Sequence, residues 1–313
     1  MAPLLLLFAC LPLAPADSLR PTSPVRRLTY TYANDFFFGT DYYFTQGMTF
    51  DWASPALARS PANRLLPRGP IGGVRTHGIL LRYDGFTPLS ITDAQIRVGD
   101  RPYAAYFYAS LYRVSNQATK RLRLTTAVEI GYLGPAAGGK LIQTKLHELT
   151  HNPTPHGWNN QISSDVVLGY RASLDKRLLA LGRAAELIGR AEASLGTLYT
   201  YAGVGGRLRV GNLTPFFANA DAARRPRWQC YAEATLSGRL VGYDATLQGG
   251  VFNRNSPYVL AFSEVSHAVL HSTGGLVLAH GGLSFTATAV YVGPEFGGGR
   301  PHRWGVLGVG REF

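Results

Sequence analysis

The 313-residue chain is poor in cysteine and in charge, with two cysteines and only 16% Asp, Glu, Lys and Arg. So little charge excludes an intrinsically disordered chain, in spite of 36 glycines. No run of five or more like charges occurs, although the formal charge is +12. Spread charge without a nucleic-acid motif sets nucleic acid aside. It leaves an anionic membrane surface or an anionic substrate as the partner of a net-positive chain. Beyond the N-terminal stretch, no apolar run reaches the roughly 18–20 residues of a spanning helix. A helical membrane protein is thereby excluded, whereas one built from strands is not.

The N-terminal stretch, MAPLLLLFACLPLAPADS, is apolar and ends in Ala14-Pro15-Ala16, an A-x-A site. It reads as a signal peptide over residues 1–16, with residues 17–313 as one mature domain. Lipid attachment at Cys10 is the alternative, with Phe8 fitting poorly in such a site. Cleavage after Ala16 leaves Cys230 as a lone cysteine, unable to form an internal disulfide or a cysteine-based metal site.

What the chain does have is glycine, 17 tyrosines, 15 phenylalanines and a strong period of two. Leu122–Tyr132, Trp228–Leu236 and Leu283–Tyr291 each alternate apolar with polar or small residues, as half-buried strands do. Segments near 26–34, 43–53, 74–84, 102–114, 119–133, 163–174, 185–194, 198–210, 226–239, 265–280, 283–293 and 303–313 read as strands. Many run about ten residues, the length of a tilted membrane-spanning strand. The fold class is therefore all-β, an antiparallel transmembrane β-barrel of about twelve strands. Arg123, Glu129, Arg171, Arg207, Arg209, Gln229 and Glu233 then point into the lumen. A soluble sandwich or lipocalin-like barrel would alternate in the same way. Export, abundant aromatics and the terminal Gly-Arg-Glu-Phe favour the membrane form.

One stretch breaks the pattern. Residues 137–151, AGGKLIQTKLHELTH, read as a short helix at one mouth of the barrel, stopped by Pro153 and Pro155. It contains His147-Glu148-Leu149-Thr150-His151, an H-E-x-x-H that on a helix places two imidazoles and a glutamate for zinc. The helix ends beside His151, however, and no third ligand follows at the extended motif's spacing, where Thr154 and Gly157 stand. A zinc hydrolase is thus one alternative, and a non-catalytic outer-membrane barrel is another.

A further set of motifs occurs in order: Tyr32-Ala33-Asn34-Asp35-Phe36-Phe37, Thr40–Gly47, Gly99-Asp100-Arg101-Pro102-Tyr103-Ala104 and Ile130–Pro135. Gly138-Gly139, Ile142–His147 and Pro155-His156-Gly157-Trp158-Asn159-Asn160-Gln161-Ile162 follow. Over about residues 30–165 this series resembles the lipid A 3′-O-deacylase family of Gram-negative outer membranes. The C-terminal half is similar only in strand pattern.

The resemblance implies a calcium-dependent hydrolase that removes the 3′-linked acyloxyacyl group of lipid A or lipopolysaccharide. It also implies a location in the outer membrane, with the active site near the outer leaflet. A monomer is the working expectation. By the family's pattern His147, Gln143 and Asn34 become catalytic candidates, Asp35 and Thr45 metal-site candidates for Ca2+, and Arg101 a candidate for the lipid A phosphate. The residue types suit this chemistry. A neutral histidine can deprotonate water near pH 7. Gln143, four residues earlier, shares its helix face, and oxygen donors suit calcium. Two departures matter. The loop Phe86–Asp100 offers only Arg97 where some members carry a Lys-Arg pair, and Ala105 stands where glycine is common.

Overall fold

The computed structural model describes residues 21–70, 72–218 and 227–313. The signal-peptide reading and its cleavage site lie outside the described residues.

Twelve strands close into one antiparallel barrel. They are β1 (Arg27–Asn34), β2 (Tyr43–Ala53), β3 (Val74–Thr87), β4 (Ala104–Gln117), β5 (Leu122–Leu133), β6 (Asp165–Leu181), β7 (Ala185–Gly196), β8 (Tyr199–Asn212), β9 (Gln229–Asp244), β10 (Ala268–His280), β11 (Leu283–Val292) and β12 (His302–Glu312). Each strand pairs with its sequence neighbour, and β1 pairs with β12 in the register Arg27↔Glu312 to Asn34↔Gly305. Closure leaves no sheet edge, which is the condition for strands in hydrocarbon. Among the described residues no helix is long and apolar enough to cross a membrane.

The alternation sorts side chains as the sequence predicts. The outer face carries exposed Val204, Leu236, Leu240, Leu276 and Leu307. The inner face carries ion pairs: Arg171–Glu129 at 3.1 Å, Arg207–Glu233 at 3.3 Å and Arg239–Glu192 at 2.7 Å. A lumen cavity of about 490 Å³ lies among these groups. Apolar outside and polar inside is the pattern of a barrel whose solvent is lipid. Exposed aromatics sit near both ends of the wall, Trp52 and Trp228 at one and Phe107, Tyr132 and Tyr291 at the other. These are the levels of the two membrane interfaces.

The end of the barrel opposite Arg27 and Glu312 carries most of the folded connection material. The 35–42 turn, the 88–103 loop, the 134–164 segment with α1 (Gly139–Thr150), and the 245–267 segment with α2 (Ala245–Gln248) all lie there. α1 occupies the mouth where the sequence places a helix, but it rests against the outer face of the wall. Arg82, Asp84, Tyr106 and Tyr108 line the lumen cavity, so Tyr83, Ala105 and Phe107 face outward. Ala105, Tyr83, Tyr103, Ala137 and Trp158 form one buried cluster beneath α1. Gly139 makes the close approach possible, because a Cβ there would stand 2.5 Å from the Ala105 Cβ.

Candidate active site on the outer wall

The candidate residues gather where α1 meets β1 and β2. Ala33 lines the lumen cavity, so Asn34 at the end of β1 faces outward. In β2, Phe44 and Gly47 line the same cavity, and the β2–β3 register slips between Phe44 and Gln46. This bulge puts Thr45 and Gln46 together on the outer side. Asn34 pairs with Gln46, which brings Thr45 next to the Asn34–Asp35 step. The site therefore opens sideways from the wall and not into the lumen.

Gln143 and His147 lie one turn apart on α1 and are both buried. The His147 Nδ1 is 2.7 Å from the Pro153 carbonyl oxygen. A carbonyl can only accept, so Nδ1 carries the proton and Nε2 keeps its lone pair. The prolines that end the helix thus also set the tautomer of its histidine. Gln143 is fixed at both ends of its amide. Its Oε1 accepts from the Trp158 indole N–H at 2.6 Å, and its Nε2 donates to the Thr45 hydroxyl at 3.1 Å. Gln143 thus ties α1 to the bulge of β2, and its amide is oriented by the indole.

Asn34 caps the short 3-10 turn Asp35–Phe38 by accepting from the Phe36 N–H at 2.9 Å, and it donates to the Tyr32 hydroxyl at 3.0 Å. Asp35 is buried and accepts from the Tyr42 N–H at 3.0 Å. No cationic side chain pairs with it among the described residues. Burial, reinforced by the nearby carboxylate of Asp41, pushes its carboxyl up to about 9. Asp41 is itself raised by burial and is drawn down by the field of His147. A buried carboxylate with a second carboxylate beside it and no ion-pair partner of its own is a charge arrangement that a bound metal would relieve. The available donors are oxygens from Asp35, Asn34 and Thr45, a set that fits a hard cation such as calcium and not zinc. The sequence gives no role to Asp41 or Trp158, although both lie in the ordered motifs.

The H-E-x-x-H does not assemble. His151 is exposed with φ +58° beyond the last helical residue, and Glu148 is exposed and paired with Lys145 at 2.7 Å. Among the described residues, no three His, Cys, Asp or Glu side chains converge as metal ligands. Arg101 stands apart from the His147 group. Its fully buried guanidinium donates to Glu295 and to Thr246, both at 2.9 Å, and lies 4.3 Å over the Phe86 ring. Arg97, the one basic residue of its loop, is paired with Asp93 and Asp100. Ala105, where glycine is common, fits beneath Gly139 without a gap.

The chain matches the family model described as outer membrane protein LpxR over residues 3–313. Among solved structures it is similar to LpxR from Salmonella typhimurium, with a TM-score of 0.73 at 18% identity, covering 91% of this chain and 99% of that one. The beta domain of the Bordetella autotransporter BrkA is a more distant neighbour. It has a TM-score of 0.43 at 12% identity and covers 93% of this chain and 98% of that one. No curated protein matches the chain in sequence.

Proposed function

The chain belongs to the LpxR family of outer-membrane proteins, and we propose that it is a calcium-dependent lipid A 3′-O-deacylase acting at the outer leaflet. The observation that carries this reading is the buried His147 with Nδ1 held by Pro153. It leaves one basic nitrogen on an outward-facing site of a membrane barrel. Lipid A presents its 3′ ester at the headgroup boundary. The loop-rich end of an outer-membrane barrel faces outside the cell, so the His147 group sits at the level of the outer leaflet.

Hydrolysis then proceeds through this chain's own groups. His147 Nε2 takes a proton from water as the water oxygen attacks the ester carbonyl. The imidazolium returns that proton to the departing 3′ oxygen as the tetrahedral intermediate collapses. The products are a fatty acid and a free sugar hydroxyl. The Pro153 carbonyl steadies the imidazolium through Nδ1–H. Gln143 holds the Thr45 hydroxyl, and with it the edge of the site, against α1. Asp35, Asn34 and Thr45 would hold the calcium, which would polarise the ester carbonyl and offset charge on its oxygen.

The test is the mass of lipid A from a Gram-negative host expressing the protein. Wild type should remove the mass of the 3′ acyloxyacyl group, and His147→Ala, folded in the membrane, should not. Unchanged lipid A with folded wild-type protein would sink the reading, and activity restored by zinc and lost in Glu148→Gln would favour the metallopeptidase-like one.

A further inference from the structure

On the outer wall, immediately beside Asn34, lies a second concavity of about 480 Å³. It is lined by Phe37, Phe38 and residues of β10, β11 and β12, among them the outward-facing Leu276, Ala289 and Leu307. The strand register explains its shape. Gly274 pairs with Ala289, Ala289 with Gly305, and Gly305 with Asn34. Three small residues therefore run in one lateral row that ends at the candidate site. One step further from the mouth, Leu276, Ala287 and Leu307 form a parallel row. The Asp35–Phe38 turn folds back over this surface. The Phe37 ring sits on Gly305 so closely that a Cβ there would meet ring atoms at 2.7–2.8 Å. One short segment thus carries the Asp35 carboxylate on one side and an aromatic wall of the groove on the other.

One exposed cation stands at the rim of the groove. Arg303 is exposed, lies on β12 two residues towards the mouth from Gly305, and stands 6.0 Å over the Phe38 ring. Arg300, earlier in the β11–β12 loop, lines a separate hollow with Tyr43, Leu89 and Arg97. Among the described residues Arg303 forms no ion pair. Tyr291, paired with Arg303 across β11, marks the interface level. An apolar concavity on the lipid-facing wall, just below the unpaired Arg303, is complementary to one kind of occupant, a fatty acyl chain below an anionic headgroup.

We propose that the groove between the Phe37–Phe38 turn and β10–β12 seats an acyl chain of the phosphorylated glycolipid substrate, with Arg303 facing its phosphate. The proposal rests on the deacylase reading and gives it a specificity element. Binding one chain in a fixed trough beside Asn34 sets the position of the sugar, and hence of the ester, against His147. It also sets an exposed cation beside the phosphate, whereas Arg101 is buried against Glu295.

The experiment uses the full-length protein in vesicles with a lipid A analogue carrying a diazirine on an acyl chain. In a His147→Ala background the lipid stays intact, so binding is read without hydrolysis. Photo-crosslinks should concentrate on peptides containing Gly274–Leu276, Ala287–Ala289 and Gly305–Leu307, and Ala289→Phe should remove them. In the active protein Ala289→Phe should lower deacylation about tenfold or more by displacing the ester. Ala193→Phe, the same bulk on lipid-facing β7 across the barrel, should have no effect. Arg303→Ala should raise KM and leave kcat largely intact. Crosslinks spread evenly around the wall, or Ala289→Phe matching Ala193→Phe, would overturn the proposal. Because the crosslinking arm needs no turnover, failure of the deacylase reading would appear separately, as an inactive wild type.

Discussion

His147 and Pro153 are joined by a 2.7 Å contact between Nδ1 and a carbonyl oxygen, and this contact assigns the imidazole tautomer. It ties the base to the loop that follows α1, so the end of the helix and the chemistry are one feature. Replacing His147 by Ala or Gln should lower deacylation by roughly 10²–10⁴-fold, the usual worth of a positioned general base. Glu148→Gln and His151→Ala should stay within about twofold of wild type, since both side chains face solvent. Rates on purified lipid A check both statements. A collapse in Glu148→Gln would revive the zinc alternative.

Trp158 and Gln143 form the least replaceable pair beneath the helix. Trp158 is fully buried, and its indole N–H is the donor to the Gln143 Oε1. Trp158→Phe keeps most of the packing and leaves that oxygen without its donor, at a cost of about 1–3 kcal/mol. The Gln143 amide is then free to turn, and its grip on Thr45 weakens. The expected result is a lower urea midpoint with a larger loss in kcat than in KM. Trp158→Phe with wild-type kcat would show that the indole serves packing alone.

The strands were legible because lipid and lumen impose a period of two on every one of them. β2, read at 43–53, has those bounds, Tyr43–Ala53. β6 runs on to Leu181, well past the 174 that alternation supports. Its register slips between Arg177 and Leu179, and the Arg177-Leu178-Leu179 run cannot alternate. The candidate site was legible through the ordered motifs of the resembled family and not through that period. Gln143 and His147 share a helix face by their spacing alone. Thr45 faces outward only because of a bulge, and Trp158 reaches Gln143 through a proline-rich turn. Neither follows from local spacing, because each depends on where a distant segment packs.

Arg101 shows how a motif residue can be spent inside the fold. Its guanidinium is shared among Glu295, Thr246 and the Phe86 ring, with no exposed surface. Removing one partner of a buried pair costs about 3–5 kcal/mol, because the other charge remains behind. Arg101→Ala should therefore sharply lower the unfolding midpoint, and Arg101→Lys should fall between, lacking the planar fork. KM for lipid A should change little in whatever fraction folds. A stable Arg101→Ala protein with a raised KM would instead make this arginine a substrate contact.

Asp35 gives the metal proposal a pH signature. Its carboxyl is raised from 3.8 to about 9 in the metal-free chain, mainly by burial and next by Asp41. Between those values the folded chain holds a proton that the unfolded chain has released. Metal-free stability should thus fall as pH rises across that window. A bound cation replaces the proton, so calcium affinity should climb by about tenfold per pH unit well below 9 and level off above it. Calorimetry in two buffers of different ionisation enthalpy should detect about one proton released per calcium near neutral pH. Asp35→Asn should remove both the calcium binding and the alkaline loss of metal-free stability, while leaving the turn capped by Asn34. Calcium affinity that stays flat with pH, or that survives Asp35→Asn, would place the ion elsewhere on the protein.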